Sequence, residues 1–109
     1  MAFTVLLTED AAIDLEDIYS YISEHDSPHK AEHVLDQIES KFVSLSEIPE
    51  RGVHPKELSN LGIRDYREIF FKPYRIIYRV VGDNVYVYLI VDGRRDMLTL
   101  LQRRLFGAL

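Results

Sequence analysis

Arginine is the residue type that offers most chemistry in the second half of this sequence. Residues 61–109 contain nine basic side chains, eight of them arginine, and five acidic ones, a balance of +4. The planar guanidinium group can form paired hydrogen bonds with a phosphate or a carboxylate. Six arginines fall on or beside three predicted strands: Arg64, Arg67, Arg75, Arg79, Arg94 and Arg95. Two interpretations are open. Either several of them converge on one concave surface that holds an RNA phosphate or a carboxylate-rich protein segment, or they solvate one face of the sheet and pair with the acidic helices.

The net charge of the whole chain conceals this basic half. The 109 residues carry a net charge of −5, because residues 1–60 contain 13 acidic and 4 basic side chains, a balance of −9. Such a chain is not a general nucleic-acid binder, but it can still carry a local arginine site. The absence of cysteine excludes disulfides, thiolate metal sites and a cysteine nucleophile. The sequence has no apolar run of roughly 18 residues and no signal peptide, so we expect a cytoplasmic protein without a membrane partner.

A second pattern, His29-Lys30-Ala31-Glu32-His33, has the spacing of a zinc site. Two histidines four residues apart on a helix can chelate zinc while the glutamate acts as a general base. Both histidines, however, fall on the side of the predicted helix opposite its apolar stripe, and a catalytic zinc also needs a third ligand and a dry cleft. A solvated helix face is therefore the favoured interpretation, and we expect no metal and no cofactor. Phosphate-binding glycine loops and serine nucleophile motifs are absent from the sequence.

The first half of the chain is predicted to form a strand and a helical hairpin. Ala2–Leu7 is an apolar run typical of a short strand, and Thr8 can cap the helix that follows it. Ser27-Pro28 has the residue types of an N-cap and a first helical position, so a second amphipathic helix is expected to begin there. Asp14 is expected to point away from the apolar stripe of the first helix.

Strand periodicity dominates the rest of the chain. Tyr66–Lys72, Tyr74–Val81 and Val85–Val91 are predicted strands, and Gly82-Asp83-Asn84 is a hairpin turn. Asp96 can cap a short final helix. The order predicts a single α+β domain over residues 1–109. It consists of an N-terminal strand, a helical hairpin, three antiparallel strands and a short C-terminal helix, with the helices on one face of the sheet.

The order of these elements and a set of short motifs resemble one known family. The motifs are Pro49-Glu50-Arg51-Gly52, Glu57-Leu58, Gly62-Ile63-Arg64, Tyr66-Arg67-Glu68, Tyr74-Arg75-Ile76-Ile77-Tyr78 and Asp92-Gly93-Arg94-Arg95-Asp96-Met97. At these spacings they resemble the RelE/ParE superfamily of bacterial type II toxins, specifically its ParE branch. The resemblance covers essentially the whole chain. It implies a RelE/ParE-like fold and a growth-arresting toxin that a small cognate antitoxin, ParD-like or of another type, neutralises.

The branches of this superfamily imply different activities. ParE-type members inhibit DNA gyrase, whereas RelE-type members cut mRNA in the ribosome. Of the RelE-type catalytic residues, the two arginines match Arg75 and Arg95. The lysine positions fall on Tyr66 and Glu68, and the C-terminal tyrosine falls on Leu101. A nuclease would then need a carboxylate such as Glu57 or Glu68 as its base, which is not the favoured interpretation. These departures favour a gyrase inhibitor without catalytic residues. A ribosome-dependent mRNA endonuclease is the alternative, and a degenerate protein that only binds its antitoxin is less favoured.

The two partners that the resemblance implies are expected to bind different parts of the chain. The C-terminal segment combines dense charge with apolar positions, as an interface does. We therefore assign contact with gyrase to Arg94, Arg95, Asp96, Arg103 and Arg104. Contact with the antitoxin is assigned to the arginines of the strand region: Arg64, Arg67, Arg75 and Arg79. Sequence-specific DNA binding by this chain alone is not expected.

Overall fold

A computed structural model describes residues 2–107 of the protein. In chain order its elements are β1 (Thr4–Leu7), α1 (Glu9–His25), α2 (Pro28–Val43), a 3-10 turn (Ser44–Ser46), α3 (Lys56–Ser59), β2 (Arg67–Phe71), β3 (Tyr74–Val81), β4 (Asn84–Asp92) and α4 (Met97–Phe106). The predicted α+β class and the order of the predicted elements are confirmed. The short helix α3 lies in a segment that was expected to be a loop, and α4 is longer than the one or two turns expected.

Side-chain caps begin the three longest helices at the predicted positions. The hydroxyl of Thr8 accepts a hydrogen bond from the backbone N–H of Ala11, and that of Ser27 accepts one from Lys30, each at 3.1 Å. The Asp96 carboxylate caps α4 in the same way. These oxygens satisfy backbone donors that have no partner inside the helix. None of the helices in residues 2–107 is both long and apolar enough to cross a membrane.

The four strands form one mixed sheet in the order β1-β4-β3-β2. β1 runs parallel to β4 and pairs with residues Asn84–Val87, while the other neighbouring strands are antiparallel. Gly82, with a φ of 60°, and its neighbour Asp83 form the tight turn between β3 and β4. Because β1 contains only four residues, the outer edge of β4 has no strand partner beyond Val87.

Helices cover both faces of the sheet. On the first face, α1 and α2 bury residues such as Ala11 and Ile38 against the sheet. On the second face, α3 and α4 pack Leu58 and Leu101 against Ile77 and other residues of β3 and β4. The prediction that the helices lie on one face is therefore wrong. β3 and β4 carry apolar side chains on both sides, as strands buried on two faces do, and the second face needs its own cover.

A bulge in β4 changes which of its side chains face the first-face core and which face the second-face core. Ile77 pairs with Leu89 but Tyr78 pairs with Val87, so Tyr88 is an extra residue on β4. As a result Tyr88 and Leu89 both pack in the second-face core, and Ile90 returns to the first.

The buried hydroxyl of Tyr78 yields a stability prediction. Tyr78 is fully buried, and its hydroxyl accepts a hydrogen bond from the backbone N–H of Gly52 at 3.0 Å. Tyr78→Phe leaves this buried donor without a partner, so the free energy of unfolding is expected to fall by about 1–3 kcal/mol. Urea denaturation measures the loss. The control Tyr21→Phe, at a side chain that is 63% exposed, should change stability by less than about 0.5 kcal/mol. Equal losses in the two variants would contradict the prediction.

Candidate functional site

Arg75 lies at the centre of a three-residue cluster on the second face. Its Nη1 and Nη2 atoms donate to the two carboxylate oxygens of Glu57, both at 2.8 Å, and its Nε donates to Glu68 at 2.7 Å. The side chains of Arg75, Glu57 and Glu68 are 13%, 18% and 6% exposed. Pairing of β2 with β3 places Glu68 diagonally across from Arg75, and α3 brings in Glu57. The cluster therefore ties α3 to two strands.

The two carboxylates leave this cluster without a free positive charge. The hydrogen bond from Arg75 holds the pKa of Glu57 below its usual range. Burial raises the pKa of Glu68 in spite of the hydrogen bond that it accepts from Arg75. The hydrogen bonds to Glu57 raise the pKa of Arg75, so the guanidinium stays charged. A phosphate would have to displace a carboxylate from a largely buried position, which is costly because that carboxylate would lose its counterion.

Gly93 provides the space in which Arg75 lies. A Cβ atom at position 93 would lie 2.6 Å from Cδ and 2.9 Å from Cγ of Arg75. The backbone N–H of Gly93 also donates to the carbonyl oxygen of Pro73 at 2.8 Å. The glycine of the Gly93-Arg94-Arg95 motif is therefore required by close packing against Arg75.

The residues that match the nuclease branch are not assembled around one open site. Arg75 points towards α3 on the second face, whereas Arg95 is exposed and lines a cleft against α1. Tyr66 is 7% exposed and Leu101 is fully buried, and both belong to the second-face core. The structure thus brings Glu68 to Arg75 and separates both from Arg95.

An ion pair between α1 and α4 closes the outer edge of β4. Asp14 accepts a hydrogen bond from the backbone N–H of Ile90 at 2.9 Å. Arg104 donates to Asp14 through Nη1 and Nη2, at 2.8 and 2.9 Å, and to the carbonyl oxygen of Tyr88 at 2.9 Å. The prediction that Asp14 points away from the apolar stripe is wrong. β1 ends at Leu7, and the backbone groups that this leaves on β4 need partners. We call this pair the edge clasp.

The other residues assigned to target contact lie near the surface. Arg94, Arg95 and Arg103 are exposed. Arg94 forms an ion pair with Asp92, and its hydrogen bonds hold the pKa of that carboxyl below the usual range. Asp96 caps α4, and hydrogen bonds from Thr99 lower its pKa. Arg104, in contrast, points inward to the edge clasp.

The strand arginines assigned to the antitoxin do not share one surface. Arg67 donates to the carbonyl oxygens of Gly52 at 2.9 Å and Glu50 at 3.3 Å, and it pairs with Tyr78 on the side of the first face. Successive residues of a strand point to opposite faces. The expected convergence is therefore wrong for Arg67, although Arg75 and Arg79 do lie on the same face.

Arg79 and Arg64 differ from each other in their surroundings. The guanidinium of Arg79 lies 5.7 Å from the centre of the Tyr66 ring and 3.5 Å from a carboxylate oxygen of Asp65. Its side chain is 40% exposed. Arg64 is exposed in the loop before β2. Both remain accessible to a partner.

Sequence reasoning did not pair Asp14 or Glu57 with an arginine. Asp14 precedes Ile18 by four residues and therefore lies next to it on the helix, which is a readable signal of burial. No spacing rule links Glu57 to Arg75, because the fold of the loop between α3 and β2 sets their separation. The motif Glu57-Leu58 is the single sequence signal for that carboxylate.

The histidine motif of α2 lies on an exposed face. His29, Glu32 and His33 are all exposed, as their positions opposite the apolar stripe predict. Within residues 2–107, no three His, Asp or Glu side chains are grouped in a way that could hold a metal ion.

Comparison with known proteins places this geometry in a family. Residues 5–97 match the family model described as "ParE toxin of type II toxin-antitoxin system, parDE". Over 100 residues the chain is 29% identical to Toxin ParE3 of Caulobacter vibrioides, an alignment that covers 92% of this chain and 96% of the relative.

Two solved structures have a similar fold. A chain from the chromosomal ParDE system of P. aeruginosa has a TM-score of 0.71 at 20% identity, covering 84% of this chain and 96% of that one. A mutant of the E. coli toxin RelE in the free state has a TM-score of 0.62 at 19% identity, covering 92% of this chain and 93% of that one. The RelE/ParE-like fold implied by the sequence motifs is confirmed.

Removing the charge of Arg75 should change both stability and its pH dependence. Arg75→Met leaves Glu57 and Glu68 without a counterion, so the free energy of unfolding is expected to fall by about 3 kcal/mol. Burial and mutual repulsion then raise the pKa of both carboxyls. The folded variant therefore binds more protons than the unfolded chain, and its stability rises as the pH falls from about 7 to about 5. In the wild type the lowered pKa of Glu57 costs stability only as the pH falls below the usual glutamate value, and the raised pKa of Glu68 alone acts in the same direction as in the variant.

Urea denaturation at the two pH values measures this effect. Arg64→Met, at an exposed arginine, serves as the control and should behave as the wild type does. A variant at position 75 with the pH dependence of the wild type would contradict the assignment.

Breaking the edge clasp should release α4. Arg104→Leu leaves Asp14 buried and unpaired, so the free energy of unfolding is expected to fall by about 3–5 kcal/mol. Backbone amides of α4 should also exchange faster with deuterium, since the helix loses its anchor to α1. Arg103→Leu, next to it but exposed, should cost less than about 0.5 kcal/mol. Similar losses of stability in the Arg104→Leu and Arg103→Leu variants would contradict the prediction.

Proposed function

Since this chain belongs to the ParE toxin family of type II toxin–antitoxin systems, we propose that it arrests growth by binding DNA gyrase and that a cognate antitoxin neutralises it. Gyrase is the target implied by the resemblance to the ParE branch. Such a toxin would act in the cytoplasm, where its target is. In this proposal the chain inhibits by occupying a surface of its target and catalyses no reaction itself.

The saturation of Arg75 is the observation that carries the choice of binding over catalysis. A metal-independent nuclease needs cations that face the developing charge on the phosphate. Arg75 instead directs three of its N–H groups at Glu57 and Glu68. The positions of the nuclease lysines and tyrosine hold Tyr66, Glu68 and Leu101, and Leu101 is a fully buried core residue. This arrangement supports a structural role for Arg75, in which it holds α3 to β2 and β3. It does not support a role in cleaving a phosphodiester.

The surface that we assign to gyrase lies on α4 and the turn before it. Arg95 and Arg103 are exposed there, and Leu98 and Phe106 on the same helix are 41% and 50% exposed. Exposed apolar side chains among arginines are typical of protein interfaces. Arg94 and Asp96 flank this surface, while Arg104 would contribute by holding α4 in place.

The antitoxin is the second partner in this proposal. Of the arginines assigned to it, Arg64 and Arg79 are accessible to acidic side chains, whereas Arg67 and Arg75 are engaged within the fold. Guanidinium groups at such positions suit carboxylates of a segment that folds as it binds.

A supercoiling assay with purified gyrase tests the target and the assigned surface together. The unmodified chain should inhibit supercoiling, and Arg95→Glu combined with Arg103→Glu should raise the concentration for half-inhibition about tenfold or more, a loss of roughly 1.4 kcal/mol. Arg64→Glu, a charge reversal at an exposed arginine outside this surface, should have little effect.

Other outcomes would contradict the proposal in distinct ways. No inhibition at excess toxin would exclude gyrase as the target. Codon-phased transcript cuts that disappear in Arg95→Ala would indicate an mRNA endonuclease. Normal growth on expression without antitoxin would indicate a degenerate protein that only binds its antitoxin.

A further inference from the structure

The second face of the sheet is exposed at the end nearest the β3–β4 hairpin. The helices α3 and α4 pack on the other end of this face, around Ile77. At the hairpin end, apolar side chains of the strands reach solvent, and Leu6 and Val81 are 40% and 45% exposed. An exposed apolar region on a sheet that is otherwise covered by helices is typical of an interaction site.

A row of side chains crosses this exposed end from one strand to the next. Leu6 of β1 pairs with Tyr86 of β4, and Tyr86 pairs with Arg79 of β3. Paired residues of neighbouring strands point to the same face of a sheet. The guanidinium of Arg79 in turn lies 5.7 Å from the ring centre of Tyr66, which directly precedes β2. The row therefore extends from β1 to the start of β2.

Aromatic contacts connect this row to the end of α4. The ring of Tyr66 lies edge-on to the rings of Tyr88, at 5.7 Å, and Phe106, at 6.4 Å. Tyr86 and Tyr88 are themselves 6.5 Å apart. Phe106 is 50% exposed and belongs to the α4 surface already assigned to the target. The row is thus continuous with that surface.

The exposed side chains at this end of the sheet are referred to together as the second-face patch: Leu6, Arg79, Val81, Tyr86 and Phe106. Most of them are apolar or aromatic, and one is charged. Arginine beside tyrosine and other large side chains is the composition of the residues that dominate the affinity of protein interfaces.

Arg79 is the arginine of the sheet whose charge remains available to a partner. Arg67 and Arg75 direct their donors at groups inside the fold. The guanidinium of Arg79 lies 3.5 Å from a carboxylate oxygen of Asp65, but both side chains are exposed, by 40% and 56%. The ring of Tyr66 supports the guanidinium from one side. A group held in this way loses little conformational freedom when it binds.

The charges around the patch favour a protein partner over a nucleic acid. Binding to a phosphate backbone depends on several cations, each of which neutralises a phosphate. Here Arg79 is accompanied by two exposed acidic residues, Asp65 and Asp83 in the hairpin turn. A single arginine among apolar side chains suits one carboxylate that is itself surrounded by apolar residues.

We propose that the target-binding surface extends from α4 across the second-face patch, where Arg79 receives a carboxylate of the target and its apolar side chains cover Leu6 and Tyr86. The name of the target, gyrase, rests on the proposed function, whereas the chemistry of the contact rests on the patch. Of the two accessible arginines assigned to the antitoxin, Arg79 then belongs to the target surface and Arg64 remains for the antitoxin.

Inhibition of supercoiling by the whole chain tests this surface. Arg79→Glu should raise the concentration for half-inhibition of gyrase about tenfold or more, because the variant repels the carboxylate that the arginine attracts. Leu6→Ser should raise it about threefold or more, since it removes apolar contact area. The matched controls are Arg51→Glu, at an exposed arginine after α2, and Ile13→Ser, at a side chain of α1 that is 44% exposed. Each control should change the value less than about twofold.

Two further measurements separate loss of contact from loss of fold. The Arg79→Glu variant should keep the urea midpoint of the wild type and its affinity for the product of the short reading frame that adjoins the gene. Arg79→Gln, which places no carboxylate next to Asp65, replaces it if the midpoint falls. Full inhibition of gyrase together with weakened binding of that product would place Arg79 in the antitoxin interface and overturn the inference.

Growth arrest on expression distinguishes this inference from the proposed function. If the wild type arrests growth but does not inhibit gyrase, the proposed target is wrong, and the patch predicts that Arg79→Glu still relieves the arrest. Equal arrest or equal inhibition by the wild type and the Arg79→Glu variant overturns the inference and leaves the family assignment intact. A wild type that does neither overturns both.

Two other occupants of the patch would also overturn the inference. Binding of oligothymidylate that is lost in Tyr86→Ala, with gyrase inhibition unchanged, would identify a stacking surface for single-stranded nucleic acid. A dimer in sedimentation that is lost in Arg79→Glu, again with inhibition unchanged, would identify a second copy of this chain as the occupant.

Discussion

The end of β1 at Leu7 is the constraint on which the rest of this structure depends. It leaves the backbone of β4 without a strand partner at the positions where Tyr88 and Ile90 present polar groups outward. A buried backbone group without a partner is costly, and an open strand edge also invites pairing with other chains. Asp14 and Arg104 satisfy both backbone groups and each other. One ion pair therefore closes the sheet and ties together the helices on its two faces.

The same use of charge explains why an arginine-rich half does not form an open phosphate site. Arg67 binds loop carbonyls, Arg75 binds two carboxylates and Arg104 closes the sheet edge. Arginine suits these places because its fork of donors satisfies several acceptors at once. Three of the eight arginines in residues 61–109 are thus engaged inside the fold. The other five reach the surface, where they are accessible to a protein partner: Arg64, Arg79, Arg94, Arg95 and Arg103.

Most of the fold could be predicted from local signals in the sequence. Contacts between residues distant in sequence could not be predicted. Thr8, Ser27 and Asp96 identified the helix starts because capping depends on neighbouring residues alone. The face covered by α4 could not be read from its apolar spacing, since that spacing shows one buried side and not what buries it. The bulge at Tyr88 also shifts the alternation of β4. For the candidate site, motifs identified Arg75 and Glu68, but the third member, Glu57, depends on how a loop places α3.

The edge clasp and a cleft between α1 and β4 arise from the same short strand. α1 continues for 17 residues past β1 and lies against β4 where no strand flanks it, so a cleft opens between the helix and the strand end. Asp14 belongs to the lining of that cleft and also holds α4 through Arg104.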